Sequence, residues 1–284
     1  MNKKYIILTV IIFIIISAVS YYFFLRKTPS EIIITKEQSV DENFYLTKDT
    51  TLGFLRLEMH VELPVEYKNN EILTGIKNKL CTFMFGEKYA VHPTDSVVFA
   101  FAEVLKKEYR QNNLDLVSQL DNESFYSFNN EHVLDGFSLL SDKNIYSYGV
   151  SRYVYMGGAH GLSTLNYFNF DLRDGHQIVE ADIFKDGYQA QLSEIIKQKI
   201  VEDSYQDEEI PDIVKLEDTD FYIDSIKANG NFFVNEESIN FVYNTYEIGP
   251  FYMGITEVNL PFERIRHLMK PGNPLEYLYI KPSK

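Results

Sequence analysis

Ser163, His160 and Asp171 supply the residue types of a nucleophile, a general base and an orienting carboxylate, all within a short stretch of chain. A hydrolytic triad needs those three side chains in one hydrogen-bonded line, and sequence spacing alone does not provide that geometry. The Gly-x-Ser-x-Gly turn that presents a nucleophilic serine in many hydrolases is absent. The six histidines are scattered, with no His-x-x-x-His or His-x-x-Glu-His pair, so no zinc hydrolase pattern stands out. The 41 acidic residues allow many carboxylate pairings, but none is singled out for glycoside cleavage. Catalysis by His160 with a nearby carboxylate is therefore the enzymatic alternative, and no catalytic residue, metal or cofactor is expected.

The same stretch supports binding more directly. Tyr153-Val154-Tyr155-Met156-Gly157-Gly158-Ala159-His160-Gly161 places three glycines and a histidine in five positions between aromatic-rich segments. Glycines at that density cost conformational entropy in a regular element, so Gly157 and Gly158 suggest positive φ or close backbone approach. A second aromatic loop, Tyr246-Glu247-Ile248-Gly249-Pro250-Phe251-Tyr252-Met253-Gly254, is broken by Gly249-Pro250. Tyr153, Tyr155, Gly157, Gly158, His160, Tyr246, Glu247 and Tyr252 are the ligand-binding candidates, the tyrosines offering flat faces and hydroxyls. The bland alternative is that His160 and Glu247 tie two loops together over tyrosines of the core.

These residues must be positioned by an α+β fold. From Gly53 to Val65 the apolar Leu55, Leu57, Met59, Val61 and Leu63 alternate with polar positions, His60 among them, which gives a half-buried strand. Ile72, Ile76, Leu80 and Phe83 mark a helix ending near Gly86; Val98, Ala102, Leu105 and Tyr109 mark another. From about residue 123 the period becomes two, with strands over Glu123–Leu140, Ile145–Tyr155 and Thr164–Leu172, and Asp174-Gly175 turning a hairpin into Gln177–Val179. The helix marked by Leu192, Ile195, Ile196 and Ile200 is expected to cover that sheet. Phe232–Tyr243 and Thr256–Leu260 resume the alternation, and Pro261 opens a short helix stopped by Pro271-Gly272. The expected architecture is an antiparallel sheet with helices packed on one face, preceded by a small α+β module over residues 51–118. Residues 119–284 form the main domain, 28–50 an irregular tether, and 1–27 a membrane anchor.

Tyr5 to Leu25 is an uncharged run of 21 residues, about 31 Å as a helix, which matches the thickness of a bilayer's hydrocarbon core. Lys3 and Lys4 precede it and Arg26 and Lys27 follow it, so local charge does not fix orientation. Setting those four cations aside leaves 23 basic against 41 acidic residues, a net of −18, consistent with an exported body. Ala18-Val19-Ser20 offers a rival cleavage site after a signal sequence, in which case the body is secreted. Either way the C-terminal body is expected outside the cytoplasm. The overall charge of −14 argues against nucleic acid, and the single Cys81, near the apolar Leu80 and Phe83, excludes an intrachain disulfide and reads as an inert buried thiol.

Two motifs carry a family resemblance. Tyr155-Met156-Gly157-Gly158-Ala159-His160-Gly161, followed by Phe170-Asp171-Leu172-Arg173-Asp174-Gly175, resembles the aromatic-x-GGAHG…FDL-x-x-G signature of RsiV-like extracytoplasmic domains. Asn231-Phe232-Phe233-Val234, Ile239-Asn240-Phe241 and the Tyr246–Gly254 loop resemble that family's second signature. The family includes the ectodomain of a membrane-bound anti-sigma factor that senses lysozyme, and the non-catalytic N-terminal part of a peptidoglycan deacetylase. The resemblance implies an envelope binding module rather than an enzyme, with a lysozyme-like protein or peptidoglycan as partner. Only four residues precede the apolar run and the sequence stops at Lys284, so neither a sigma-factor-binding domain nor a deacetylase domain is expected here. A structural envelope protein without a ligand site is the further alternative.

Overall fold

The computed structural model describes residues 30–117, 128–204, 216 and 219–280. The apolar run over residues 5–25 lies outside the described residues. Among those described, no helix is long and apolar enough to cross a membrane.

Two sheets organise the structure. The larger has five strands in the order β1-β2-β3-β4-β5: Ile34–Tyr45, Phe54–Glu66, Asn130–Ser141, Ile145–Tyr155 and Leu162–Asp171. Its pairings are antiparallel except between β2 and β3, which run parallel from Leu55↔Asn130 to Val61↔Gly136. The sheet is therefore mixed, not antiparallel. The reason is the crossover: β2 is followed by helix α1 (Asn70–Phe85) and helix α2 (Val97–Val117) before the chain returns as β3. Parallel neighbours need a long connection of that kind, whereas a hairpin turn would have reversed the chain. One sheet thus spans both sides of the boundary expected at residue 118. The strand expected from Glu123 begins at Asn130, and residues 118–127 lie outside the described residues.

The supposed tether contains β1, paired along its length with β2. Its inward side is only partly apolar, with Gln38 and Val40 buried amid Lys36, Glu37, Asp41 and Glu42. A charged strand of that kind suits a sheet edge, where it deters pairing with other chains.

Helix α1 is started by Asn69, whose side-chain oxygen accepts from the Glu71 and Ile72 amides, satisfying two of the donors a helix start leaves open. Gly86, at φ +100°, ends it. The helix lays Ile72, Ile76, Leu80 and Met84 against Leu55, Leu57, Met59, Val61, Tyr146, Tyr148 and Phe170 of the sheet, forming the first core. Cys81 is fully buried there, and burial pushes its thiol up to about 11, which leaves it inert as expected.

The second sheet has the order β6-β7-β8: Phe232–Val234, Ser238–Tyr243 and Thr256–Pro261. Helix α4 (Gln189–Ser204), which follows the single-turn α3 (Glu180–Ile183), buries Leu192, Ile196 and Ile200 with Phe241, Val258 and Leu260. That helix covers the second sheet rather than the first, contrary to the sequence expectation, because its apolar face is matched to the β6–β8 side chains. The single-turn helices α5 (Phe262–Ile265) and α6 (Glu276–Tyr279) complete this second core. The hairpin at Asp174-Gly175 forms, but its return reaches only one bridge, Phe170↔Gln177, and is not a full strand.

Strand β5 is the edge of the large sheet, and side-chain amides close it. The Leu165 amide donates to Asn244 Oδ1 at 2.6 Å and the Tyr167 amide to Asn231 Oδ1 at 3.0 Å. Asn231 returns its Nδ2 to the Leu165 and Val242 carbonyls at 2.8 and 3.0 Å. Unpaired edge amides would otherwise seek other strands or remain unsatisfied. Asn231 and Asn244 therefore join the two sheets by satisfying one sheet's edge.

Candidate functional site

The register of β3, β4 and β5 builds one side of the site. Glu131 lies opposite Tyr155, and Ser163 opposite Tyr153. Tyr153 and Tyr155 are two apart on β4 and so point to the same face, which puts all four side chains on that face at one end of the sheet. The glycine turn follows at once, with Gly157 at φ +81° and Gly158 at φ +117°, conformations that side-chain-bearing residues rarely adopt. The Tyr155 hydroxyl donates to the Gly158 carbonyl at 3.0 Å, holding the turn down. Gly161 is needed for a different reason: a Cβ there would come within 2.4 Å of the Tyr153 ring.

The opposite side comes from the loop between β7 and β8. Phe251 lies face to face with His160, ring centroids 3.9 Å apart and planes 25° off parallel. Tyr246, in the left-handed region at φ +72°, sets its ring 5.6 Å from Phe251. The His160 Nδ1 lies 3.1 Å from the Gly161 carbonyl; an oxygen there can only accept, so that nitrogen is the donor. Between the two sides is an open cavity of about 800 Å³, whose lining includes Glu131, Tyr153, Tyr155, His160, Ser163, Thr245, Phe251 and Tyr252. Its surroundings expose large apolar and aromatic groups: Met156, Leu162, Tyr246, Phe251 and Tyr252. Tyr252 is the most open of these, and its hydroxyl donates to the Asp220 carboxylate, which raises the phenol's pKa.

Of the residues singled out from sequence, Tyr153, Tyr155, His160 and Tyr252 line this cavity, Gly157 and Gly158 shape the turn beside it, and Tyr246 braces its aromatic wall. Glu247 has a different place. Its carboxylate accepts from Asn229 Nδ2 and from the Asn244 amide, each at 2.8 Å, so it fixes the loop and is not among the lining residues. Phe251, Thr245 and Glu131 are among the lining residues that sequence reasoning did not select. Phe251 lay within the second motif; Glu131 had no local signal, because only the β3–β4 register brings it in.

The triad types do not assemble. His160 and Ser163 share the cavity, but Asp171 ends β5 eight residues further on, roughly 27 Å along an extended strand. There Asp171 is bound by the Arg173 guanidinium, with Nε 2.9 Å from both carboxylate oxygens. Asp171, Asp174 and His176 also bring ligand atoms within 4.8 Å of one another, but Arg173 already neutralises the first and His176 Nδ1 meets Asp174 Oδ1 at 2.6 Å. This end of the sheet is an ion-pair cluster that closes a hairpin.

The α+β body thus brings two aromatic loops together around one open cavity. Residues 181–263, which include the Tyr246–Gly254 loop, match the family DUF3298, described as a protein of unknown function. Over 231 residues the chain is 25% identical to the peptidoglycan-N-acetylmuramic acid deacetylase PdaC of Bacillus subtilis. That similarity covers 80% of this chain and 46% of PdaC, so the chain spans about half the length of that relative. A solved member of the DUF3298 family from Bacteroides fragilis superposes with a TM-score of 0.79 at 23% identity, covering 88% of this chain and 98% of that one. A DUF3298 protein from Pseudomonas aeruginosa gives 0.52 at 12% identity, covering 84% and 95%. At those identities the two structures establish the likeness of fold.

Proposed function

We propose that this chain is an extracytoplasmic binding or sensor module of the bacterial cell envelope, anchored through residues 5–25. On this reading the cavity between the glycine turn and the Tyr246–Gly254 loop engages an envelope macromolecule, either a lysozyme-like protein or peptidoglycan. The observation that carries it is the convergence of two sequence motifs, from different sheets, on one open surface rich in exposed aromatic groups. Exposed apolar clusters of this kind mark association sites, and aromatic side chains are the usual anchors. Both motifs resemble those of RsiV-like domains, and the similarity to PdaC, named for its action on peptidoglycan, supports the envelope setting. The separation of Asp171 from His160 and Ser163 favours recognition over triad hydrolysis.

The test uses the full chain purified in detergent micelles, incubated with lysozyme and, separately, with purified peptidoglycan. Retention of at least one, weakened at least tenfold by Phe251→Ala and by Tyr252→Ala, is expected. Retention of neither by the wild-type chain overturns the two partners, and retention indifferent to both substitutions overturns the site. Turnover of esters or glycans that disappears in His160→Ala would replace binding with envelope hydrolysis.

A further inference from the structure

We infer that the cavity receives a cationic side chain, lysine or arginine, presented by a protein partner, with Glu131 as its counter-ion. This rests on the reading above and narrows it to one class of ligand chemistry. The lining contains no lysine or arginine and one carboxylate, Glu131. The sheet register sets that carboxylate beside Tyr155, on the same face as Tyr153. Glu131 forms no salt bridge with any described residue, although Arg56, Lys106, Lys143, Arg173, Lys197, Lys199 and Arg264 are all paired.

The walls supply the second half of a cation site. Phe251 is backed by His160 on one face, and Tyr153, Tyr155 and Tyr252 present further rings to the same space. An ammonium or guanidinium group is attracted to aromatic faces through the ring quadrupole, and a nearby carboxylate adds charge attraction in a partly desolvated site. Asp220, held on the Tyr252 hydroxyl, contributes a second negative charge at the rim. A neutral glycan would leave Glu131 without a counter-charge, and an anionic one would be repelled by it. At about 800 Å³ and open to solvent, the cavity has room for a long basic side chain together with the backbone that carries it. The net charge of −14 steers such a partner toward the chain before contact.

The probes are a twelve-residue oligolysine peptide, the same peptide fully acetylated on its side chains, and an oligoglutamate of equal length. Each is titrated into the full chain in micelles, into Glu131→Gln, and into Asp186→Asn, which removes one exposed charge in the turn between α3 and α4. Oligolysine should bind, and the acetylated and acidic peptides should not. Glu131→Gln should weaken oligolysine about tenfold while Asp186→Asn changes it less than about twofold. Equal effects of the two substitutions mean that overall charge alone attracts the peptide, and overturn the inference, as does binding of the acetylated peptide at wild-type strength. Lysozyme or peptidoglycan retention lost in Phe251→Ala but intact in Glu131→Gln also overturns it, while leaving the proposed function standing. Glu131-dependent oligolysine binding without retention of either macromolecule supports this inference and rejects those two partners instead.

Discussion

His160 stacks on Phe251, 3.9 Å between ring centroids, although one belongs to the turn between β4 and β5 and the other to the loop between β7 and β8. The contact joins the two sheets at the end where the cavity opens. It places the imidazole in the cavity wall, where it fixes one loop against the other.

The stacking should be measurable as a coupling. In a double-mutant cycle of His160→Ala and Phe251→Ala, thermal or chemical unfolding should give an interaction of about 0.5 kcal/mol, toward the lower end for aromatic pairs because both rings are partly exposed. Strictly additive effects would mean that the rings only neighbour one another.

Asn231 should matter more to stability than its place in a loop suggests. Asn231→Ala leaves the Tyr167 amide and the Leu165 carbonyl without their side-chain partner at the β5 edge, while the Val242 carbonyl keeps Asn229 Nδ2. A loss of about 1–3 kcal/mol in urea unfolding is expected, the cost of unsatisfied polar groups. A change below about 0.5 kcal/mol would show that water replaces the amide freely and that the edge does not depend on it.

What the sequence discloses follows from whether the signal is local. The alternation of Leu55, Leu57, Met59, Val61 and Leu63 is legible because all five side chains enter the core, each 0–1% exposed. The helix built on Ile72, Ile76 and Leu80 is legible for the same reason. Strand β1 is not, because an edge strand carries charge on positions that a central strand would make apolar. The parallel pairing of β2 with β3 is not legible either, and the sheet was expected to be antiparallel, because alternation within each strand is the same for either direction. At the site, the two motifs mark the loops that meet, but Glu131 enters through register and Glu247 leaves through hydrogen bonds to Asn229 and Asn244. Neither relation has a sequence period.

His132 should make the fold acid-sensitive. It lies on β3 in an apolar slot with Phe101, Val154 and Arg152, and burial lowers its pKa, with the Arg152 charge adding to that and Glu108 opposing it. The unfolded chain therefore binds this proton more readily than the folded one. Stability contributed by neutral His132 is complete above the ordinary imidazole value of about 6.5 and declines as pH falls from there toward the lower folded-state value. Urea midpoints measured from pH 8 to pH 5 should fall less steeply in His132→Gln than in the wild type. Identical slopes would place the acid sensitivity elsewhere.

Gly161→Ala separates recognition from folding. A Cβ at this position meets the Tyr153 ring at 2.4 Å, and the atoms it meets are the far end of that side chain, so the ring can swing away without moving the strand. Tyr153 is also one of the rings that line the cavity, and the ring's displacement would carry it off the wall beside Ser163. The variant should lose about 1 kcal/mol, the lower end of what overpacking costs, because only the far end of one side chain has to give way. Its retention of the partner should nevertheless fall, together with oligolysine binding. Position 158 provides the contrast: an added Cβ there meets nothing within 4 Å, but φ is +117°. Gly158→Ala therefore strains the turn itself and should lower stability as well as binding. If Gly161→Ala binds as the wild type does, the Tyr153 ring is not part of the recognition surface.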